Sequence, residues 1–307
     1  MSYPHRPVLV KKVVEALLTS PDGIYVDGTV GTGGHSEAIG KALGAKGRLI
    51  CLDRDPEALR ICRERLFFLG ERAVFVKGNY AAANEIIRNF EIDAVHGILL
   101  DLGMSSDQLE RSGRGFSFTR DEPLDMRMDP GNGITAEQLI NACPAQELEK
   151  ILREFGEEKR AKTIAKRIVQ KRPISSSLQL ANLIEAAVPW SRRARKHPAT
   201  RTFQALRIAV NQELEHLKTF LEKAPSLILT GGRLAVLSYH SLEDRMVKQA
   251  MTDWERGCEC PPDFPECQCG KRPIFKRLQK KGIKPDHEEI AQNPRARSAI
   301  LRVTERI

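Results

Sequence analysis

The stretch Ile24-Tyr-Val-Asp-Gly-Thr-Val-Gly-Thr-Gly-Gly-His35, followed after an amphipathic segment by Arg48-Leu-Ile-Cys-Leu-Asp-Arg-Asp55, decides the fold. It reads as strand, glycine-rich turn, helix and second strand, with an acid closing the second strand. Gly28, Gly31, Gly33 and Gly34 permit a tight turn and a close approach of backbone to a ligand. Asp53 stands about 20 residues past the glycines, where a carboxylate accepts hydrogen bonds from ribose hydroxyls. The expected ligand is an adenosine-containing cofactor.

The dinucleotide fingerprint G-x-G-x-x-G/A fits poorly. Its best frame, Gly31-Thr-Gly-Gly-His-Ser36, ends in serine. The first strand also ends in an acid, Asp27, read as pointing into the turn. A carboxylate there repels a pyrophosphate and suits a cationic amino group. That sign argument favours S-adenosylmethionine over a dinucleotide.

Working outward, the β–α rhythm continues. Val8–Leu18 is apolar at helical spacing, Val74–Lys77 reads as a third strand, Ala82–Phe90 as a helix, and Gly97–Asp101 as a fourth strand ending in an acid. Consecutive β–α units predict an α/β fold with a doubly wound, mostly parallel sheet. From Ser105 to about Pro198 no buried strand is legible. Helical stripes appear instead, including Ala161, Ile164, Ala165, Ile168 and Val169. Phe203–Leu221 then reads as one long helix, and Arg233–Leu237, Ile274–Leu278 and Ala299–Thr304 as final strands. The pattern predicts a split domain, 1–108 and 203–307, carrying an inserted helical domain, 109–202.

The chain has 307 residues, 29% charged and 41% hydrophobic, a balance ordinary for a globular protein. It shows no signal-peptide pattern and no apolar run of membrane-spanning length, so a cytoplasmic location is expected. The net charge is +9, and Arg153–Arg207 alone, with 14 Lys or Arg against four Asp or Glu, carries +10. Such a concentration points to a polyanionic partner, and the expected one is nucleic acid. Arg192, Arg193, Arg195, Lys196 and Arg201 cluster beside Trp190, a base-stacking or core residue.

Seven motifs occur in order: His5-Arg-Pro-Val-Leu, Asp27-Gly-Thr-Val-Gly-Thr-Gly-Gly-His35, Asp101-Leu-Gly-Met-Ser-Ser106, Arg114-Gly-Phe-Ser-Phe118, Leu124-Asp-Met-Arg-Met128, His197-Pro-Ala-Thr-Arg-Thr-Phe-Gln-Ala-Leu-Arg207 and Ser238-Tyr-His-Ser-Leu-Glu-Asp-Arg245. Together they resemble the bacterial 16S ribosomal RNA cytosine-N4 methyltransferase family, over essentially the whole chain. The resemblance implies the S-adenosylmethionine-dependent methyltransferase fold with an inserted helical domain. It implies S-adenosyl-L-methionine as methyl donor and a cytosine in the decoding centre of the small ribosomal subunit as acceptor. By motif, it places cofactor contacts on Gly33, Gly34, His35, Asp53, Tyr80, Asp101 and Gln108. Tyr80 stands where the family often has Phe; either ring can pack on adenine.

Asp101 closes strand four at the edge where open α/β sheets bind ligands. It can accept from the cofactor's amino group or from the cytosine N4 amine, and both roles stay open at this level. Many DNA amino-methyltransferases carry prolines and an aromatic after this acid. Asp101-Leu-Gly-Met lacks them. Phe116, Phe118 and Tyr239 are candidates for the missing base clamp. Asp101 is the candidate catalytic residue, with Ser238, Tyr239 and His240 lining the base side. Cys258, Cys260, Cys267 and Cys269 form a C-x-C-x6-C-x-C pattern that reads either as a structural zinc site or as a loop of thiols. Other functional readings are an amino-methyltransferase acting on another nucleic acid or on protein, and a non-catalytic RNA-binding ribosome-assembly factor.

Overall fold

The computed structural model describes residues 7–105, 108–109, 112–189, 197–258, 260–261, 264–266 and 268–307. His5, Ser106, Trp190, Arg192, Arg193, Arg195, Lys196 and Cys267, singled out above, lie outside the described residues. In chain order the first elements are α1 (Val10–Leu17), β1 (Ile24–Asp27), α2 (Gly34–Ala42), β2 (Arg48–Asp53), α3 (Pro56–Arg65), β3 (Ala73–Lys77), α4 (Ala83–Arg88) and β4 (Val95–Asp101). A run of helices follows: α5 (Ala136–Ala142), α6 (Ala145–Gly156), α7 (Ala161–Gln170), α8 (Ser177–Ala187) and α9 (Ala199–Asn211). The chain closes with α10 (Glu213–Leu227), β5 (Ile228–Ser238), α11 (Ser241–Arg256), β6 (Phe275–Arg277), α12 (His287–Gln292) and β7 (Ile300–Arg306).

The seven strands form one sheet in the order β3-β2-β1-β4-β5-β7-β6. The first five run parallel to one another, and β7 runs antiparallel to both β5 and β6. Strand alternation sorts the apolar side chains onto two buried faces. Tyr25, Leu49, Cys51, Leu99 and Leu237 fill one, and Val26, Ile50, Leu52, Ile98, Leu100 and Val236 the other. Asp55 starts α3 by accepting from Glu57 N–H, with Pro56 in the first turn. The cap therefore falls to Asp55 and leaves Asp53 for other work. Gly231 and Gly232 lie within β5 rather than before it, and β5 slips register against β4 there.

Two compact units emerge, Met1–Gly103 with Glu215–Ile307, and Met104–Leu214. The second is helical, with Ile140, Leu148, Leu152, Ile164, Ile168, Leu180 and Leu206 in its core. The long helix read over Phe203–Leu221 is in fact two. Gln212, at φ 51°, ends α9 in the left-handed region. The leucine spacing runs across this break without interruption, so periodicity could not reveal it. Leu206 and Val210 pack in the helical unit, whereas Leu217 and Leu221 pack under the sheet. That division puts the second boundary after α9. Among the described residues, no helix is long and apolar enough to cross a membrane.

Candidate active site

Strand order reverses between β1 and β4, and it is outside the carboxyl ends of strands at such a point that open α/β sheets bind ligands. The glycine turn leaves β1 here. Gly28 N–H donates to Leu99 O at 2.9 Å and Val30 N–H to Leu52 O at 2.9 Å, which stitches the turn to β4 and β2. Gly33 caps α2 at φ 80°, and a Cβ there would sit 2.9 Å from Cys62 Sγ. A Cβ on Gly34 would sit 2.4 Å from Pro7 Cγ. The missing side chains at Gly33 and Gly34 are thus demanded by the protein's own packing. What the turn offers a ligand is the first N–H groups of α2, which have no intrahelical acceptor.

Asp27 does not point into the turn as its position suggested. It is 1% exposed; its Oδ2 accepts from Ser36 Oγ at 2.7 Å and its Oδ1 from Thr29 N–H at 3.2 Å. Burial raises its carboxyl to about 6, against the lowering by the Ser36 hydroxyl and the His35 charge. Asp27 holds the turn against α2, and the sign argument made from it does not stand on this geometry.

Asp53 is half-buried at the end of β2. Its Oδ2 accepts from Gly31 N–H at 2.8 Å and its Oδ1 from Asp55 N–H at 2.9 Å. Each oxygen keeps a second lone pair, the arrangement that vicinal ribose hydroxyls need. Burial raises its carboxyl to about 6, opposed by the two backbone hydrogen bonds and reinforced by the charges of Asp55 and Asp27. Tyr80 follows β3 and meets Phe220 edge-on, ring centroids 5.8 Å apart. Its Cβ lies 3.1 Å from where a Gly28 Cβ would be, so it stands beside the turn.

Asp101 is the hub. Its N–H donates to Thr29 Oγ1 at 2.6 Å, fixing the end of β4 to the turn. Its Oδ1 accepts from the Tyr239 hydroxyl at 2.7 Å, and its Oδ2 lies 3.3 Å from His35 Nδ1. The other His35 nitrogen, Nε2, is 2.8 Å from Val8 O. Burial alone would lower the His35 pKa, but the hydrogen bond and charge of Asp101 reverse this and raise it. Burial, then the charge of Asp101, pushes the Tyr239 phenol well above its ordinary value. Asp101 itself stays 22% exposed, so the carboxylate retains access to a ligand.

The remaining sequence candidates divide. His35, expected at the cofactor, spends both ring nitrogens on protein atoms, leaving its backbone N–H in the first turn of α2. Ser238 is 2% exposed, and its hydroxyl faces Asp244 and Ile300 O, both at 3.4 Å. His240 caps α11, with Nδ1 3.5 Å from Glu243 N and Nε2 3.0 Å from Glu243 Oε1. Of the three, Tyr239 is the one whose side chain hydrogen-bonds to Asp101. Gln108 belongs to the helical unit, where it and Ser105 exchange hydrogen bonds of 3.1 Å. Phe116 is buried in that unit's core, and Phe118 stacks on His197 and meets Phe203 edge-on. Thr29, Ser36 and Glu243 were not legible as site residues. Only Thr29 and Ser36 carried a signal, as hydroxyls beside the glycines.

In the basic segment, Lys162, Lys166, Arg167, Lys171 and Arg201 are exposed. Arg172 is not part of that surface: its guanidinium holds Ile140 O and Cys143 O. Arg207 turns inward to Glu213.

A model of the MraW methylase family matches residues 2–307. Proteins named ribosomal RNA small subunit methyltransferase H are similar over most or all of their length. That of Heliobacterium modesticaldum is 47% identical, covering 100% of both chains. That of Syntrophotalea carbinolica is 48% identical over 99% of this chain and 98% of its own. That of Dehalococcoides mccartyi is 47% identical over 99% of this chain and 87% of its own. The chain belongs to the MraW methylase family, and it is an S-adenosylmethionine-dependent methyltransferase.

Proposed function

We propose that the protein methylates the N4 amine of one cytosine in the decoding centre of 16S ribosomal RNA, presented on the small ribosomal subunit or its precursor. The observation that carries this reading is Asp101, a partly exposed carboxylate at the switch point, held from either side by His35 and Tyr239. The bound cofactor supplies an electrophilic methyl group. The N4 lone pair is delocalised into the cytosine ring, so the amine is a poor nucleophile. Asp101 accepts a hydrogen bond from N4, which aligns the lone pair and stabilises positive charge as it develops on nitrogen. Asp53 holds the ribose, Tyr80 offers its ring to adenine, and the start of α2 takes the cofactor carboxylate. The target base has to leave its stack, which suits a flexible RNA segment. Mass spectrometry of ribosomal RNA nucleosides from cells with and without the gene tests the reading. N4-methylated cytidine disappears on deletion; an unchanged level defeats it.

If ionised Asp53 binds the ribose, cofactor affinity depends on pH in a fixed direction. With its carboxyl near 6, the acceptor is ionised at pH 7.5 and mostly protonated at pH 5. The dissociation constant of S-adenosylhomocysteine rises about tenfold between those values. Calorimetric titration measures it, and Asp53→Asn removes that dependence. A slope that survives undiminished in Asp53→Asn removes Asp53 from that role.

The exposed cations of α7 and α9 supply the RNA contact. Four or more phosphate contacts give log affinity against log salt a slope of about −3 or steeper. Exchanging Lys162, Lys166 and Arg167 for Gln flattens it by about two. A flat response in the unsubstituted protein removes this surface from the reading.

A further inference from the structure

The segment between α11 and β6 carries a cysteine cluster that methyl transfer does not use. Cys258, Cys260 and Cys269 bring their sulfurs within 4.8 Å of one another. Cys258 Sγ and Cys269 Sγ are 3.7 Å apart. A disulfide needs about 2.05 Å. A tetrahedron with metal–sulfur bonds of about 2.3 Å has edges of about 3.8 Å, which is the separation seen. Gln268 N–H donates to Cys260 Sγ at 3.3 Å, a contact that stabilises a thiolate and fixes its direction. Gly270, directly after Cys269, has φ 62° and lets the chain fold back at that sulfur.

The setting also asks for a staple. The segment is closed at its base, where Ile274 N–H donates to Trp254 O at 3.0 Å and Gly257 packs against the backbone of Arg272 and Pro273. No described residue from 258 to 273 contributes a side chain to the buried apolar core. Chain that buries so little apolar surface is commonly held by a metal or a cross-link. Cys51, Cys62 and Cys143, by contrast, are buried among apolar side chains and act as packing.

We propose that Cys258, Cys260 and Cys269 hold a structural zinc ion. The sequence supplies one more thiol, Cys267, two residues before Cys269. Soft thiolates select a single zinc ion over oxygen-seeking cations, and over iron(II) by intrinsic affinity. Each ligating thiol releases its proton to solvent on binding, so uptake weakens as pH falls.

The test is metal analysis of tag-free, full-length protein purified under reducing conditions. Mass spectrometry of the elements finds about one zinc per chain, and under a tenth of that in Cys258→Ser/Cys260→Ser. Stripped wild-type protein titrated with cobalt(II) develops the visible absorption of a tetrahedral thiolate site, a readout that does not depend on the serine variant folding. Wild-type protein that contains no zinc and gives no such cobalt spectrum overturns the proposal. So does full zinc retention by the double variant, or iron with acid-labile sulfide in zinc's place.

Discussion

Asp101→Asn, assayed at saturating S-adenosylmethionine, loses methyl transfer by about 10²-fold or more. The exchange keeps the shape of the side chain and one acceptor for the Tyr239 hydroxyl. It removes the charge that opposes positive charge growing on N4, and it leaves the buried His35 without its counter-charge. Two readouts separate the roles that the sequence left open. If Asp101 chiefly binds the cofactor, the dissociation constant rises and kcat at saturation is preserved. If it acts on the base, kcat falls and the dissociation constant moves little. Tyr239→Phe isolates the positioning contribution: it takes one hydrogen bond from Asp101 Oδ1, and a kcat loss of about tenfold with unchanged cofactor affinity is expected. Near wild-type turnover in Asp101→Asn ends the catalytic assignment.

Arg207→Ala destabilises the helical unit by about 3–5 kcal/mol. Arg207 Nε and one terminal nitrogen reach the two oxygens of Glu213 at 2.8 and 2.7 Å, a bidentate pair whose side chains are 11% and 9% exposed. The pair spans the break at Gln212. Removing the guanidinium takes the bidentate cation from a carboxylate that is almost fully buried, which costs far more than the net worth of the pair. Arg207→Met combined with Glu213→Leu therefore recovers most of the loss, because neither charge is then left behind. Urea unfolding monitored by circular dichroism measures this; the single variant shifts the midpoint down by more than about 1 M. A single variant as stable as the parent shows that the pair is not what holds the break.

Both predictions bear on motifs that looked functional as sequence. Arg207 ends His197–Arg207, yet its side chain turns inward. The Leu124–Met128 motif behaves alike: Asn211 takes Met128 N–H at 2.7 Å and gives its amide to Met126 O at 2.7 Å. Asp125 pairs with Arg127, and Arg114 donates to the carbonyls of Arg127 and Met128. A loop of polar residues with little regular structure is held by these bonds, so residue types that resemble a binding site serve to order it. Nothing in a linear motif separates a polar residue that serves a ligand from one that serves the backbone.

The sequence alone determined the strand–turn–helix–strand start, the parallel sheet, the helical insertion and the acids closing β2 and β4. Those features follow from alternation with period two, apolar stripes with period 3.6 and glycine in a turn, all of them local properties of the chain. Tertiary structure decided which polar groups meet. Asp101 and Tyr239 are 138 residues apart and share a hydrogen bond only because β4 and β5 lie side by side with their ends level. Asp27 turns inward because Ser36, in the first turn of α2, offers a hydroxyl. One leucine stripe serves two cores because the backbone reverses hand at Gln212. Pattern encodes which side chains leave water; the partner of each buried charge depends on which distant segments the fold brings within about 3 Å, the reach of a hydrogen bond.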